Sequence, residues 1–108
     1  MQRKITFRSM DHSQIFEEYI NKKIDKVEKF FKHEQGPVDI EATIEIHPVK
    51  HYYIAEFRIQ SRLYNILARA EALDVYVAID EAGHKMIAEV SRAKEKLVDK
   101  EHHQPKMK

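Results

Sequence analysis

Alternation of apolar and polar residues is clearest in the segment VDIEATIEIH, residues 38–47. Successive side chains of a β-strand point to opposite faces, so this segment predicts a strand with one apolar and one charged face. The same period recurs at residues 53–59 and 66–70, and a shorter run precedes them at residues 4–8. The pattern predicts four strands, of which the last three form an antiparallel meander.

Two further segments have apolar residues every three or four positions, which is the spacing of an amphipathic helix. The first begins after Ser13, a favourable N-cap residue, and its pattern predicts a helix that ends near Gly36 and Pro37. The second begins after Asp74, another good cap, and its apolar stripe continues to Leu97. The helices therefore follow the first and the last strand.

The predicted order β-α-β-β-β-α determines much of the fold. A helix that joins the first two strands implies a right-handed crossover, with those strands parallel. Each strand has one apolar face and each helix one apolar stripe, so both helices should lie on the same side of the sheet. The sequence thus predicts an α+β two-layer sandwich, with a four-stranded mixed sheet and two helices on one face.

The length of 108 residues predicts one domain, which we expect to span residues 1–100 and to be followed by a short flexible tail at residues 101–108. No cysteine is present, so disulfides and thiolate metal sites are excluded and a reducing environment is expected. The N-terminus lacks the apolar core of a signal peptide, and no apolar run approaches the roughly 20 residues that span a bilayer. We therefore expect a soluble, cytoplasmic protein with no membrane partner.

The overall charge is nearly balanced, but the charges are unevenly placed. With 19 Lys+Arg and 18 Asp+Glu, the formal net charge is +1, which is not the electrostatic signature of a nucleic-acid-binding protein. Residues 1–33, however, carry eight basic and five acidic side chains, whereas residues 34–74 carry four basic and seven acidic ones. Any electrostatic function must therefore rest on where the charges lie.

Basic residues align on both predicted helices. In the first helix, Lys22, Lys26 and Lys29 cluster opposite the apolar stripe, with Lys23 on the flank. In the second helix, one edge about a quarter turn from the stripe carries Lys85, Arg92, Lys96 and Lys100. Two such rows on the outer face fit a phosphate-binding surface, but charged helix faces are also common because they meet water and form weak pairs. The pattern alone leaves both interpretations open.

The two helix motifs resemble those of a known family. KKIDKVEKFF in the first helix and DVYVAIDEAGHKM in the second are similar to the signatures of the short ribosome hibernation-promoting factors and ribosome-associated inhibitors, formerly described as sigma-factor modulation proteins. In the second motif the matching residues are Asp74, Tyr76, Ala78, Ile79, Asp80 and Lys85. The resemblance covers about residues 1–100 and implies a fold like that of double-stranded-RNA-binding domains.

The resemblance implies a protein without catalytic activity or cofactor that binds the small ribosomal subunit under stress or in stationary phase. Such a protein occupies the channel used by mRNA and by the A- and P-site tRNAs, contacts ribosomal RNA rather than DNA, and keeps the ribosome inactive; off the ribosome it is a monomer. Lysine and arginine suit this role because folded RNA is recognised largely by shape and phosphate contacts. The rRNA-binding residues implied are Lys22, Lys23, Lys26, Lys29, Lys85, Arg92, Lys94, Lys96 and Lys100.

Three positions depart from the family pattern. Ala88 and Glu89 stand where the family often has Arg-Gln, which removes a positive charge and adds a negative one. Gly83 replaces a bulkier residue and should cost the helix about 1 kcal/mol relative to alanine. These departures leave an alternative function open, that of a diverged, non-catalytic module whose helical face binds an acidic protein partner.

Other chemistry is weakly indicated. His47 and His51 flank a proline turn, so their spacing does not bring two imidazoles together as it would on a helix, and no metal site is expected. The chain has no cysteine, no G-x-S-x-G motif and no glycine-rich phosphate loop, which argues against an enzyme. Tyr53 and Phe57 alternate with apolar residues and are expected in the core rather than on a platform for stacking RNA bases.

Overall fold

The structure, a computed structural model, describes the backbone of residues 1–103 and the side chains of residues 1–97. The predicted order of elements, β-α-β-β-β-α, is confirmed. The elements are β1 (Gln2–Arg8), α1 (Gln14–Glu28) with a short 3₁₀ extension (Lys29–Phe31), β2 (Asp39–Ile46), β3 (Tyr53–Gln60), β4 (Asn65–Ala72) and α2 (Val75–His103).

The strands form one four-stranded sheet in the order β1-β2-β3-β4. Strand β1 pairs with β2 in parallel, with Ile5 opposite Ala42, as expected when a helix connects them. The pairs β2 with β3 and β3 with β4 are antiparallel, which confirms the meander. The predicted α+β class with a mixed sheet is therefore confirmed.

The core lies between the sheet and the helices. The apolar stripes of α1 and α2 and the inward faces of the strands meet in one cluster, so the other face of the sheet is left to solvent. Its fully buried large side chains are Ile20, Ile24, Val27, Ile40, Ile44, Phe57, Ile59, Ile79, Met86 and Val90. Burial of this apolar surface is the main force that holds the helices on one face.

Both helices begin at the predicted caps. The hydroxyl of Ser13 accepts a hydrogen bond from the amide of Phe16 at 3.2 Å. The carboxylate of Asp74 accepts one from the amide of Tyr76 at 2.7 Å. Each cap satisfies an amide that would otherwise lack a partner in the first turn.

The prediction that the first helix ends near Gly36 and Pro37 was wrong. The α-helix ends at Glu28, and only the 3₁₀ turn extends it to Phe31. Phe31 is the last apolar residue of the stripe and is buried, so no further packing on the core stabilises a longer helix. The chain then turns towards β2 through Gly36, whose φ of +92° is one that glycine adopts without strain.

The two helices run parallel and touch along one side. Phe16 and Tyr19 near the start of α1 pack edge-on against Tyr76 in the first turn of α2, at ring centroid distances of 5.5 Å and 4.9 Å. Further along, the side chain of Lys23 lies over the backbone of Gly83. The helices therefore form one layer in which the charges of each lie close to the other. No helix in the described part of the chain is long and apolar enough to cross a membrane.

Candidate nucleic-acid interface

Three lysines on α1 project into solvent, as the helical spacing predicts. Lys22, Lys26 and Lys29 are all exposed. Within residues 1–97, where side chains are described, none of them has a hydrogen bond or an ion pair. We call them the outer lysines. Because they have no internal partner to give up, their charge is available to an external anion.

Two acidic residues of α1 are held on the flank beside β1 by Arg3. The guanidinium of this β1 residue lies 2.7 Å from a carboxylate oxygen of Asp25 and 2.6 Å from one of Glu28, and it donates to the side chain of Asn21 at 3.0 Å. Partial burial disfavours the charged form of Arg3, but the hydrogen bonds that it donates to both carboxylates and the attraction of their negative charges outweigh burial and raise its pKa. Both carboxylates on the flank of α1 beside β1 thus have the same internal cation as partner.

Lys23 is not free, although the family resemblance places it among the RNA contacts. Its Nζ lies 2.7 Å from a carboxylate oxygen of Asp80 on α2, and its side chain is only 15% exposed. The hydroxyl of Tyr19 donates to the same carboxylate at 2.6 Å, and Lys23 Nζ lies 4.9 Å from the centroid of the Tyr19 ring. Lys23 therefore joins the two helices.

The protonation states of this cluster are fixed by its contacts. The hydrogen bond to Asp80 raises the pKa of Lys23 and also that of Tyr19. Partial burial acts to raise the pKa of Asp80, but hydrogen bonds from Lys23 and Tyr19 and the positive charge of Lys23 together hold it below its usual value. At neutral pH the cluster is consequently a lysinium, a carboxylate and a neutral phenol.

Lys94 is also engaged, at the other end of α1. Its Nζ lies 5.1 Å from the centroid of the Phe31 ring and 5.4 Å from that of Tyr64, and these two rings meet edge-on. Such distances allow a cation–π attraction. Lys94 thus connects α2 to the end of α1 and to the turn before β4.

The basic row of α2 lies on the flank beside β4. Lys85 donates from Nζ to the backbone oxygen of Arg69 at 3.0 Å, and Arg92 and Lys96 border a shallow groove along Asn65 to Leu67. We call Lys85, Arg92 and Lys96 the β4-side cations. The expectation that both basic rows share the outer face was therefore wrong for α2, because its apolar stripe packs on β3 and β4 and turns this row towards the edge of the sheet. Lys100 lies within α2, but its side chain is outside the described residues.

Two residues that depart from the family pattern, Ala88 and Glu89, are neighbours on α2. Glu89 lies in the β4-side row and pairs with Arg92, with a carboxylate oxygen 2.8 Å from the guanidinium. Ala88, next to it, is exposed on the outer surface of α2. One of the β4-side cations is thus partly neutralised from within its own helix.

The open face of the sheet is charged but balanced. Across the strands, Lys4 lies opposite Glu41, and Glu41 lies opposite Arg58. Glu56 lies opposite Arg69, which also pairs with Glu71 at 3.0 Å. Opposite charges at neighbouring positions of adjacent strands attract each other and leave little net field. The helical layer is therefore the better surface for an anion.

His47, which begins the turn between β2 and β3, has a structural role. The Nδ1 atom of His47 accepts from the backbone amides of Val49 and Lys50, at 3.3 Å and 3.1 Å, and its ring stacks on Tyr52. Within the described residues, no group of three or more histidine, cysteine, aspartate or glutamate side chains is placed to hold a metal ion. Phe57 is buried, as the alternation predicts.

Sequence reasoning missed Arg3, Asp80 and Tyr19, which organise the charges of the helical layer. The signal for Arg3 was its position: in β1 it shares the inward face with Ile5 and Phe7, so its charge points towards α1 rather than into water. Asp80 matches the second family motif, but neither that match nor the sequence around Tyr19 indicates the contact between the two helices, which is a tertiary feature.

The fold defines a class of α+β proteins in which two parallel helices cover one face of a mixed sheet and expose lysines outward. A sequence model of the family described as Sigma 54 modulation protein / S30EA ribosomal protein matches residues 4–98, and the chain belongs to this family. The match confirms the resemblance carried by the two helix motifs.

Solved structures share this fold. One is the N-terminal domain of Protein Y from Thermus thermophilus, with a TM-score of 0.69 and 19% identity over 85% of this chain and 98% of that one. Another is a ribosomal subunit interface protein from Coxiella burnetii, with a TM-score of 0.73 and 22% identity over 87% of this chain and 98% of that one. A comparison with curated proteins found no match.

Proposed function

We propose that this protein binds ribosomal RNA of the small subunit, in the channel used by mRNA and by the A- and P-site tRNAs, and keeps ribosomes inactive under stress or in stationary phase. It acts in the cytoplasm as a non-catalytic binding protein and is a monomer off the ribosome. Family membership supports a ribosomal role, and the solved relative from Coxiella burnetii is itself described as a ribosomal subunit interface protein.

The observation that carries the proposal is the separation of charge on α1. Arg3 holds Asp25 and Glu28 on the flank beside β1, whereas the outer lysines on the exposed face have no partner within residues 1–97. A phosphate that approaches this face meets three lysines whose charge is not occupied by an ion pair within residues 1–97. Release of the counterions bound to those phosphates then favours binding.

The β4-side cations extend the contact. They lie on the other helix of the layer, so an RNA surface that reaches beyond α1 meets a second line of positive charge. The open sheet face offers no such line because its charges are paired across strands. We therefore assign the helical layer, and not the sheet, to ribosomal RNA.

The proposal is tested by co-sedimentation with purified small ribosomal subunits. We expect Lys26→Glu with Lys29→Glu to abolish co-sedimentation and to leave the Tm nearly unchanged, because both side chains are exposed and unpaired. The matched control is Lys50→Glu with Arg58→Glu, which changes the net charge equally at two exposed residues, one in the β2–β3 turn and one on the open sheet face. Equal loss in both variants, or normal binding of the first, would refute the assignment.

A further inference from the structure

We infer that Lys23 and Lys94 serve RNA binding as positioning residues that fix α1 against α2, and do not contact phosphates themselves. The inference rests on the proposed function, since it concerns how the helical layer presents to RNA the outer lysines and the β4-side cations. It divides the basic residues of this layer into two groups. One group, the outer lysines and the β4-side cations, faces the RNA, and the other holds the two helices together.

The first clamp is the contact of Lys23 with Asp80. The aliphatic part of Lys23 crosses the backbone of α2 at Gly83: a β-carbon at position 83 would lie 3.5 to 3.6 Å from Cβ, Cγ and Cδ of the lysine. Beyond this crossing, Nζ reaches the carboxylate of Asp80, which also accepts from the hydroxyl of Tyr19. The lysine is thus held along its whole length, by packing on its stem and by an ion pair at its tip.

The second clamp is the contact of Lys94 with the rings of Phe31 and Tyr64. Phe31 and Tyr64 are buried, and they belong to the end of α1 and to the turn before β4. The ammonium group over both rings ties α2 to these elements about three helical turns beyond the first clamp. With one clamp near each end of their contact, the two parallel helices can neither slide nor splay freely.

The loss of its existing ion pair explains why Lys23 does not bind a phosphate. If Lys23 turned to a phosphate, it would leave the carboxylate of Asp80 unpaired on the same surface, where it would repel that phosphate. The attraction gained between Lys23 and the phosphate would be offset by the attraction lost between Lys23 and Asp80. The outer lysines have no such contact to break, so a phosphate is bound by them at lower cost.

Fixed spacing matters because the cations assigned to the RNA lie on both helices. Phosphates of folded RNA are held at set distances, and a protein that reads them by shape must present its cations at matching distances. If α1 shifts relative to α2, the outer lysines and the β4-side cations no longer meet their phosphates together. Loss of a clamp should therefore weaken binding without removing any phosphate contact.

The first experiment uses the free protein, so its result does not depend on the ribosome. Lys23→Glu places two carboxylates in contact, and we expect it to lower the Tm by several degrees. Addition of Asp80→Lys restores the ion pair in reverse order and should recover most of that loss. If the double variant is no more stable than the single one, the clamp is refuted, whatever the protein binds.

The second experiment measures binding to small subunits at several salt concentrations, well below the Tm of each variant. For Lys23→Met with Asp80→Asn, which removes the ion pair without leaving an unpaired carboxylate, we expect affinity to fall severalfold by the same factor at every salt concentration, because no phosphate contact is lost. For the control Lys26→Met, the slope of log K against log[salt] should become shallower by about 0.7, the effect of one lost phosphate contact. The charge-reversed pair at positions 23 and 80 should bind nearly as well as the wild type.

The outcomes are distinguishable. A shallower slope for Lys23→Met with Asp80→Asn would make Lys23 a phosphate contact, and unchanged affinity would leave this pair a stabilising contact only; either result overturns the inference. If Lys26→Met changes neither affinity nor slope, the proposed function fails, whereas the stability result for the pair stands.

Lys94 offers a check by conservative replacement. Arginine at position 94 retains a cation over the rings of Phe31 and Tyr64, whereas methionine retains only the packing. We expect Lys94→Arg to preserve affinity and Lys94→Met to reduce it severalfold at an unchanged slope. Equal behaviour of the two variants would contradict a role for the cation in positioning.

Discussion

The guanidinium of Arg3 lies 2.6 Å from a carboxylate oxygen of Glu28 and so joins the edge strand β1 to the last turn of α1. The same group holds Asp25 at 2.7 Å. Without it, Asp25 would be free to pair with Lys22 or Lys29, which lie three or four residues away on the same helix. Arg3 therefore maintains the free charge of the outer lysines without belonging to the binding surface itself.

Replacement of this arginine should weaken binding indirectly. In Arg3→Met, the carboxylates of Asp25 and Glu28 lose the cation that holds them. They can then pair with the outer lysines and compete with phosphates for them. Two such helical pairs, at about 0.2 to 0.5 kcal/mol each, correspond to a two- to fivefold loss of affinity. Binding titrations with small subunits measure it, with Arg58→Met on the open sheet face as the control. An equal loss in both variants would contradict this role.

Gly83 can be replaced by alanine with a gain in stability. A β-carbon there would lie 3.5 to 3.6 Å from the Lys23 side chain, which is ordinary van der Waals contact, and no close contact opposes it. We expect Gly83→Ala to stabilise the protein by about 0.5 to 1 kcal/mol, since alanine is the better helix former. Thermal unfolding measures the change. Gly36→Ala is the contrast: φ is +92° there, so it should destabilise.

A fall in Tm for Gly83→Ala would show that α1 and α2 cannot accommodate even one methyl group at their crossing. The side chain of Lys23 would then have to move. That result would also indicate that the contact between the helices requires glycine at this position, despite the low helix propensity of glycine.

The contact of Lys23 with Asp80 predicts a pH dependence of stability. The pKa of Asp80 is held below its usual value, so its contribution is present above the unfolded-state pKa, about 3.9, and is lost as pH falls through the folded-state value. The pKa of Lys23 is raised, so its contribution is present below about 10.4 and is lost as pH rises through the folded-state value.

Comparison with Asp80→Asn isolates this effect. We expect the difference in free energy of unfolding between the wild type and this variant to be constant from about pH 5 to 9 and to shrink as the pH falls below about 4. Denaturant unfolding at a series of pH values measures it. A difference that persists at pH 2 would mean that the charge of Asp80 does not contribute to the contact.

Most of the fold was predictable because each element carries its own signal. Alternation in β2 and the apolar stripe of α2 each agree with the observed burial, and Ser13 and Asp74 were identified as caps from their residue type and position. The end of α1 was not predictable in the same way. Lys32 and His33 are compatible with a helix, and only the absence of apolar surface to bury after Phe31 ends it.

The candidate site was predictable only in part. Helical spacing correctly placed Lys22, Lys26 and Lys29 in solvent, since the apolar stripe of α1 determines the opposite face. It could not show that Lys23 and Lys94 have partners on other elements. Helical spacing shows on which side of a helix a lysine lies. Whether its charge is available to an external anion depends on packing between elements that are distant in sequence.

Binding should be strongly dependent on salt. If the outer lysines and the β4-side cations together contact five or six phosphates, log K against log[salt] should fall with a slope of about −4, at about −0.7 per contact. Titrations with small subunits at several salt concentrations provide the slope. A slope near zero would reject phosphate binding and favour the alternative of a partner recognised without a large ionic contribution.

The final prediction concerns Ala88 and Glu89 on α2. Glu89 pairs with Arg92 at 2.8 Å and thereby occupies one of the β4-side cations, while Ala88 leaves the neighbouring exposed position without charge. Ala88→Arg with Glu89→Gln adds a cation that can reach the RNA and releases Arg92 for a phosphate. Affinity for small subunits should rise, and the salt slope should steepen by about 0.7 to 1.4, the equivalent of one or two additional contacts. The fold should be unaffected, because arginine and glutamine are both good helix formers.

The control repeats the same charge change on the open sheet face. On the part of this face away from β4, Glu41 of β2 lies opposite Lys4 and Arg58, and Gln2 of β1 is an exposed uncharged residue, so Gln2→Arg with Glu41→Gln matches the α2 variant in charge. If the helical layer binds RNA, only the α2 variant should gain affinity in titrations at two salt concentrations. An equal gain in both variants would mean that net charge alone governs binding. Unchanged binding of the α2 variant at both concentrations would mean that this flank of α2 does not meet ribosomal RNA, because a released arginine and an added one would both lack a phosphate within reach.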